Sequence, residues 1–346
     1  MSINTDKRPL PQQHKRSHNN NYHGRGIYMI TLCTDGRLPL LGTLTGDSPE
    51  TAAICPSSLG KQVLQCWNNI SSIQKQFAKK KAERTGVPCQ RKISLIACQL
   101  MPDHFHGIIF VREEMDISIG DVVRGFMVGC TKAYNEQNFV EEKSSIPLKP
   151  LWEKGFHDRI LLYAGQLQNM IEYVRDNPRR LWLKKKKPEY FAVLHNVHWN
   201  EHCFSAVGNI LLLDNPLCAV HVRSRFSEED ASNYMNDCIV TAKNGAVLIG
   251  AFISPKEKQV LEVALKEGLS VIVLLPHGLS EFYKPVGMFM EACAQGKMLF
   301  LTEASAEESP RKRITREECQ KLNTIAEEMM EWTIASDKEL WERSGI

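Results

Sequence analysis

The residues best suited to chemistry are His104 and His106, in the run Met101-Pro102-Asp103-His104-Phe105-His106-Gly107-Ile108-Ile109-Phe110. Successive side chains of a β-strand alternate between its faces, so the two imidazoles share one face and Phe105 takes the other. Such a pair can grip a divalent cation; two partly buried histidines without a metal are the competing reading of the same spacing. Downstream, Tyr173 and Asn177 stand four residues apart, which stacks side chains on one helix face. A phenol is a weak nucleophile at its free pKa near ~10, but a cation that polarises a scissile phosphate makes its attack feasible. Asn177 offers a carbonyl oxygen to that cation, and Asp176 competes with it as third ligand.

These side chains need elements to hold them. Ile93 to Leu100 is apolar and strand-like, and Pro102-Asp103 supplies turn chemistry, which together predict a hairpin whose second strand starts with the histidines. Leu167, Met170, Ile171 and Val174 follow i, i+3, i+4, i+7 spacing and predict an amphipathic helix from Gln166 to Asn177, ended by Pro178. Asn177, as the residue before proline, is expected to be terminal. The other tyrosines fit the nucleophile role less well. Tyr134 lies in a helical pattern with Val122, Val123, Phe126 and Cys130 and reads as a packed side chain. Tyr163 and Tyr190 stand at loops or element edges, and none of the three combines an amide four residues on with a basic tail. His157, between Phe156 and Asp158, reads either as a strand histidine near the site or as ordinary packing, and packing is the expectation.

A formal net charge of +3, from 43 Lys and Arg against 40 Asp and Glu, excludes strong whole-protein steering toward nucleic acid. Local distribution matters instead. Arg175, Arg179, Arg180, Lys184, Lys185, Lys186 and Lys187 flank the tyrosine with Trp182 among them, a pattern that offers phosphate contacts and a base-stacking surface, although Trp182 could equally be core. Lys79, Lys80, Lys81 and Arg84 form a second run that reads as a solvated face. The 11 cysteines are scattered without a Cys-x-x-Cys pair, which argues against a structural zinc site or a disulfide framework and fits reduced thiols. Of the divalent cations a histidine pair could take, Mg²⁺ prefers oxygen ligands, Mn²⁺ tolerates imidazole better, and zinc is the rival. No apolar run approaches the ~20 residues of a membrane span and no signal-peptide pattern opens the chain; a soluble, cytoplasmic protein without membrane contact is expected.

Three ordered blocks carry a family resemblance. Met101 to Ile109, then Trp152-Glu153-Lys154-Gly155-Phe156-His157-Asp158-Arg159-Ile160, then Tyr173-Val174-Arg175-Asp176-Asn177-Pro178 resemble the REP-associated tyrosine transposases, insertion-sequence-200-like members of the HUH (His-hydrophobic-His) superfamily. Gly26 to Thr34, followed by Arg37 to Gly42, resembles the family's first strand and turn. The resemblance implies an α+β, ferredoxin-like domain over residues 23–198, with His104, His106 and Asn177 holding Mg²⁺ or Mn²⁺. It also implies that Tyr173 cuts single-stranded DNA, at hairpin or repeat ends, leaving a 5′-phosphotyrosine and a free 3′-hydroxyl. DNA transposition is the implied process. The alternative is a domesticated nucleic-acid-binding protein whose fused α/β domain acts as a nucleotide sensor or DNA-mediator module. Monomer and homodimer both stay open.

Composition divides the rest. Residues 1–22 are polar and basic and read as a disordered arm. Over 206–304, Leu217 to Val222, Ala246 to Ile249, Val271 to Leu275 and Met298 to Thr302 read as buried strands separated by helices, which predicts a parallel α/β sheet. Ser254 and Pro255 suit a helix start and Gly268 its stop. The order Gly245 to Ala251, Glu262 to Gly268 and Val271 to Pro276 resembles the Rossmann-like domain of DNA-processing protein A and its nucleotide-sensing relatives. It departs from them in lacking a Gly-x-Gly-x-x-Gly fingerprint and in carrying Val222-Arg223-Ser224-Arg225 where they have a Gly-Ser-Arg phosphate loop, so no cofactor is expected there, although Arg223, Ser224 and Arg225 could still meet phosphate. Residues 305–346 read as a polar loop and an acidic packing or oligomerisation helix, Glu317 to Trp332, and Phe139 to Pro150 as a loop.

Overall fold

Two β-sheets of different construction organise the computed structural model, which describes residues 21–141, 150–222, 226–281, 283–303, 305 and 314–344. The chain divides into two compact units, Met1–Trp182 and Leu183–Ile346, and is mixed α/β with seven helices among the described residues. Of the expected basic arm, residues 1–20 lie outside the described residues.

The first unit runs β1 (Gly26–Cys33), a small hairpin of β2 (Gly42–Thr45) and β3 (Ala53–Pro56), α1 (Ser58–Thr85), β4 (Ile93–Leu100), β5 (His104–Val111), α2 (Ile119–Glu141), β6 (His157–Leu161) and α3 (Gln166–Lys186). Its sheet has the order β4-β5-β1-β6 with every neighbouring pair antiparallel. Period-two alternation gives the sheet two apolar faces. On one, Tyr28, Ile30, Leu32, Phe105 and Ile109 pack against Val63, Trp67 and Ile70 of α1 and Val122 and Phe126 of α2. Gly107 permits this approach, because a Cβ there would lie 2.3 Å from the Trp67 indole. On the other face Met29 and Ile108 meet Leu167, Met170, Ile171 and Val174, the stripe that the helical spacing predicts for α3.

Three helix ends differ from expectation. The helix expected to stop at Pro178 continues to Lys186 with Pro178 buried inside it. Proline lacks the N–H that would reach the Val174 carbonyl, and the Asn177 amide compensates: its Nδ2 donates to Tyr173 O at 2.8 Å and to Val174 O at 3.4 Å. Phe139 to Glu141, expected in a loop, extend α2, while residues 142–149 lie outside the described residues. The acidic helix runs to Ser344 rather than Trp332.

The second unit adds β7 (Leu194–Trp199), β8 (His202–Gly208), β9 (Leu217–Ala219), α4 (Glu228–Lys243), β10 (Val247–Gly250), α5 (Pro255–Lys266), β11 (Val271–Leu274), α6 (Met288–Ala294), β12 (Met298–Thr302) and α7 (Arg316–Ser344). Strands β9, β10, β11 and β12 are parallel neighbours, as their apolar runs predict, and the antiparallel hairpin β7-β8 extends the sheet beyond β12. Helices α4, α5 and α6 contribute to the core on one face, and Leu322, Ile325, Ala326 and Met329 of α7 to the core on the other. Ser254 and Glu257 form a reciprocal capping box with Pro255 in the first turn of α5, and Gly268 takes φ +67° just beyond its end.

Candidate functional site

The histidines open β5 on the face that α3 covers. Their rings lie 4.7 Å apart between centroids in an edge-to-face pair, His106 buried and His104 half-buried. Each Nδ1 already has a partner: His104 Nδ1 lies 2.6 Å from Asp103 Oδ1, and His106 Nδ1 lies 2.8 Å from Thr31 Oγ1. Thr31 stands opposite His106 in the β1-β5 register, so the sheet itself delivers this contact. The Asp103 carboxylate can only accept, which puts the proton on His104 Nδ1 and the lone pair on its Nε2; the Thr31 hydroxyl can accept from His106 Nδ1–H, and with that tautomer both Nε2 atoms carry the lone pair a metal ligand requires.

Electrostatics favour the same state. Burial, reinforced by His104 and Arg37, pushes the His106 pKa down to about 3, so this ring is neutral at physiological pH. Burial works against ionisation of Asp103, yet the His104 hydrogen bond and the Arg37 guanidinium outweigh it and hold the carboxyl below its ordinary value. Arg37 Nη1 sits 3.4 Å from Asp103 Oδ2, and this residue takes φ 56°, an uncommon left-handed backbone for a non-glycine.

Helix α3 brings the phenol. The Tyr173 ring meets His106 edge-on at 6.0 Å between centroids, 36% of the residue is exposed, and the Arg180 guanidinium lies 5.3 Å from its centroid. Asn177 is one turn on from Tyr173. Its Nδ2 is committed to the helix backbone, and among the described residues its Oδ1 accepts no hydrogen bond. Asp176 Oδ1 lies 3.6 Å from Arg179. Among the described residues no group of three or more His, Cys, Asp or Glu could hold a metal ion, so a cation bound by the two imidazoles would need its remaining ligands from amide or solvent oxygen, the donors Mg²⁺ and Mn²⁺ accept.

The remaining residues separate clearly. Arg175 is exposed, Arg179, Arg180 and Lys184 are half-buried, and Lys185, Lys186 and Lys187 are exposed, with Lys187 5.0 Å from the Tyr190 ring. Trp182 is half-buried and donates its indole N–H to Gly46 O at 3.1 Å. Tyr134 packs against the first core and Tyr163 is 73% exposed. In the second basic run Lys79 pairs with Glu83 and Lys81 with Asp116. His157, expected as packing, is exposed at the start of β6. Thr31, Asp103 and Arg37 were not singled out as site residues from sequence. An Asp directly before a ligand-like His is a usable signal; nothing local marks Thr31.

At the ends of β9 and β10 the second unit is arranged differently. The Glu257 carboxylate is buried and accepts backbone N–H bonds from Val222 at 3.2 Å, Ile253 at 3.1 Å and Ser254 at 3.0 Å. Arg223, Ser224 and Arg225 lie outside the described residues.

No family model and no curated protein matches the chain. Among solved structures, a REP-associated tyrosine transposase bound to a REP hairpin aligns at 16% identity, over 47% of this chain and 73% of that one, with a TM-score of 0.27. The DNA processing protein A from Helicobacter pylori, described for its single-stranded DNA binding mode, aligns at 25% identity over 35% of this chain, with a TM-score of 0.27. The matched part spans 59% of that second protein, and both TM-scores are low. No helix among the described residues is long and apolar enough to cross a membrane.

Proposed function

We propose that the first unit is a ferredoxin-like HUH domain that cuts and rejoins single-stranded DNA through Tyr173, and that the second is a Rossmann-like α/β domain attached to it. The observation that carries this reading is the edge contact of Tyr173 with His106, which sets a half-exposed phenol beside two imidazoles whose Nε2 atoms are open. His104, His106 and Asn177 Oδ1 would hold the divalent cation, Mg²⁺ or Mn²⁺. When bound, it supplies Lewis-acid polarisation of the scissile phosphate.

The chain's own residues do the rest. Asp103 and Thr31 fix the two imidazole rings, and α3 aims Tyr173 from the same face. The Tyr173 oxygen attacks phosphorus and its proton passes to solvent. As the new O–P bond forms, the bond from phosphorus to the 3′ oxygen breaks, and that oxygen leaves protonated as a 3′-hydroxyl. The 5′-phosphate stays on the tyrosine until a 3′-hydroxyl attacks it and rejoins the strand. Arg180, over the Tyr173 ring, offers positive charge where negative charge develops. Arg175, Arg179, Lys184, Lys185, Lys186 and Lys187 serve as phosphate contacts for hairpin or repeat ends. Transposition is the process this chemistry serves.

Incubation with a labelled single-stranded hairpin library and Mn²⁺ tests the reading. A covalent protein–DNA adduct mapping to Tyr173, lost in Tyr173→Phe with DNA binding retained, is the expected result. An adduct that persists in Tyr173→Phe, or that maps to Tyr134, overturns it.

A further inference from the structure

The edge strand β6 carries a feature that the proposed reaction has not used. Residues directly opposite each other in antiparallel strands point to the same face. Thr31 pairs with His106 on one side and with His157 on the other, so His106, Thr31 and His157 form one row across the sheet. Met29 pairs likewise with Ile108 and Arg159, which puts Arg159 in the next row on the same face. Both His157 and Arg159 are exposed, and among the described residues β6 is the last strand in the sheet order and pairs with β1 alone. Among the described residues no carboxylate pairs with Arg159.

We propose that His157 and Arg159 form a phosphate-binding rail for the single-stranded DNA that leaves the Tyr173 site. This rests on the reading above and adds to it the path of the strand. Two residues apart on a strand, the side chains are ~7 Å from each other, a step that neighbouring phosphates of an extended strand also span. The rail begins in the row of His106 and leads away along β6, so it holds nucleotides adjacent to the scissile phosphate without entering the metal site. Arg159 supplies charge; His157 supplies a hydrogen bond to a phosphate oxygen.

Equilibrium binding of a fluorescent single-stranded hairpin oligonucleotide, measured in chelator across a salt series, tests the rail apart from cleavage. Arg159→Ala is expected to weaken binding roughly three- to tenfold and to lower the slope of log K against log salt by about 0.7, the value for one lost phosphate contact on a single strand. Arg159→Lys keeps the slope, and His157→Ala combined with Arg159→Ala weakens binding further. Lys79→Ala, at an exposed position of α1, changes neither quantity and serves as control. Unchanged affinity and slope in Arg159→Ala overturn the rail. So does aggregation of that variant with its DNA affinity intact, since the charges then protect the sheet edge. If the unaltered protein binds no such oligonucleotide, the proposed function itself falls, and the rail with it.

Discussion

Where β5 meets α3, polar side chains are oriented but left half-engaged; at the ends of β9 and β10, comparable polar groups are closed onto one another. In the first unit each site imidazole has its Nδ1 occupied and its Nε2 open, and the Asn177 amide has its nitrogen occupied and its oxygen open. In the second, a buried carboxylate fills the backbone N–H groups of Val222, Ile253 and Ser254, the position in which strand-end loops of parallel sheets receive a ligand phosphate. The contrast teaches that an element's reputation for binding is less informative than its hydrogen-bond accounting. A site for an outside ligand has fixed but unsatisfied atoms; a structural knot has none.

The largest expected effect breaks the open side of that comparison. Changing His104 or His106 to alanine should lower Mn²⁺-supported cleavage by more than about 100-fold, with chelator reproducing the loss in the unaltered protein. Gel quantitation of the adduct measures it, and full activity in excess chelator removes the metal from the reaction.

Next comes the closed side. Glu257→Ala strands three backbone donors, so the second unit should lose about 1–3 kcal/mol of stability in denaturant unfolding while cleavage by the first unit stays unchanged. The comparison sharpens if sulfate raises the melting temperature of Glu257→Ala but not of the unaltered protein, because the anion then takes the vacated place. A Glu257→Ala protein as stable as its parent removes the knot.

The smallest effect separates two duties of one side chain. Asn177→Ala removes both the support for Pro178 and the candidate ligand oxygen, at a stability cost of about 1 kcal/mol. Asn177→Asp returns an oxygen without the donor, so it should recover cleavage while leaving the stability loss in place. Recovery of neither, or of stability alone, assigns Asn177 to the helix only.

Much of the site was legible because its signals are local. The shared face of His104 and His106 follows from strand alternation, the buried stripe of α3 from its helical spacing, and the start of α5 from Ser254 and Pro255. The parallel strands β9 to β12 show as short apolar runs because both of their faces are covered. Other features have no local signal. Proline at 178 reads as a stop, whereas in the structure it is buried inside a helix that continues past it, with the Asn177 amide bonded to the carbonyl its missing N–H leaves open. Thr31 meets His106 from 75 residues away, through strand register alone. His157 shares a sheet face with His106 and is exposed there because β6 pairs with β1 at the sheet's edge. The chain by itself determined which residues could do chemistry and which faces they share within an element, since periodicity and capping act over a few neighbours. Tertiary structure decided which polar atoms are consumed and which stay open, since that depends on contacts between segments distant in sequence.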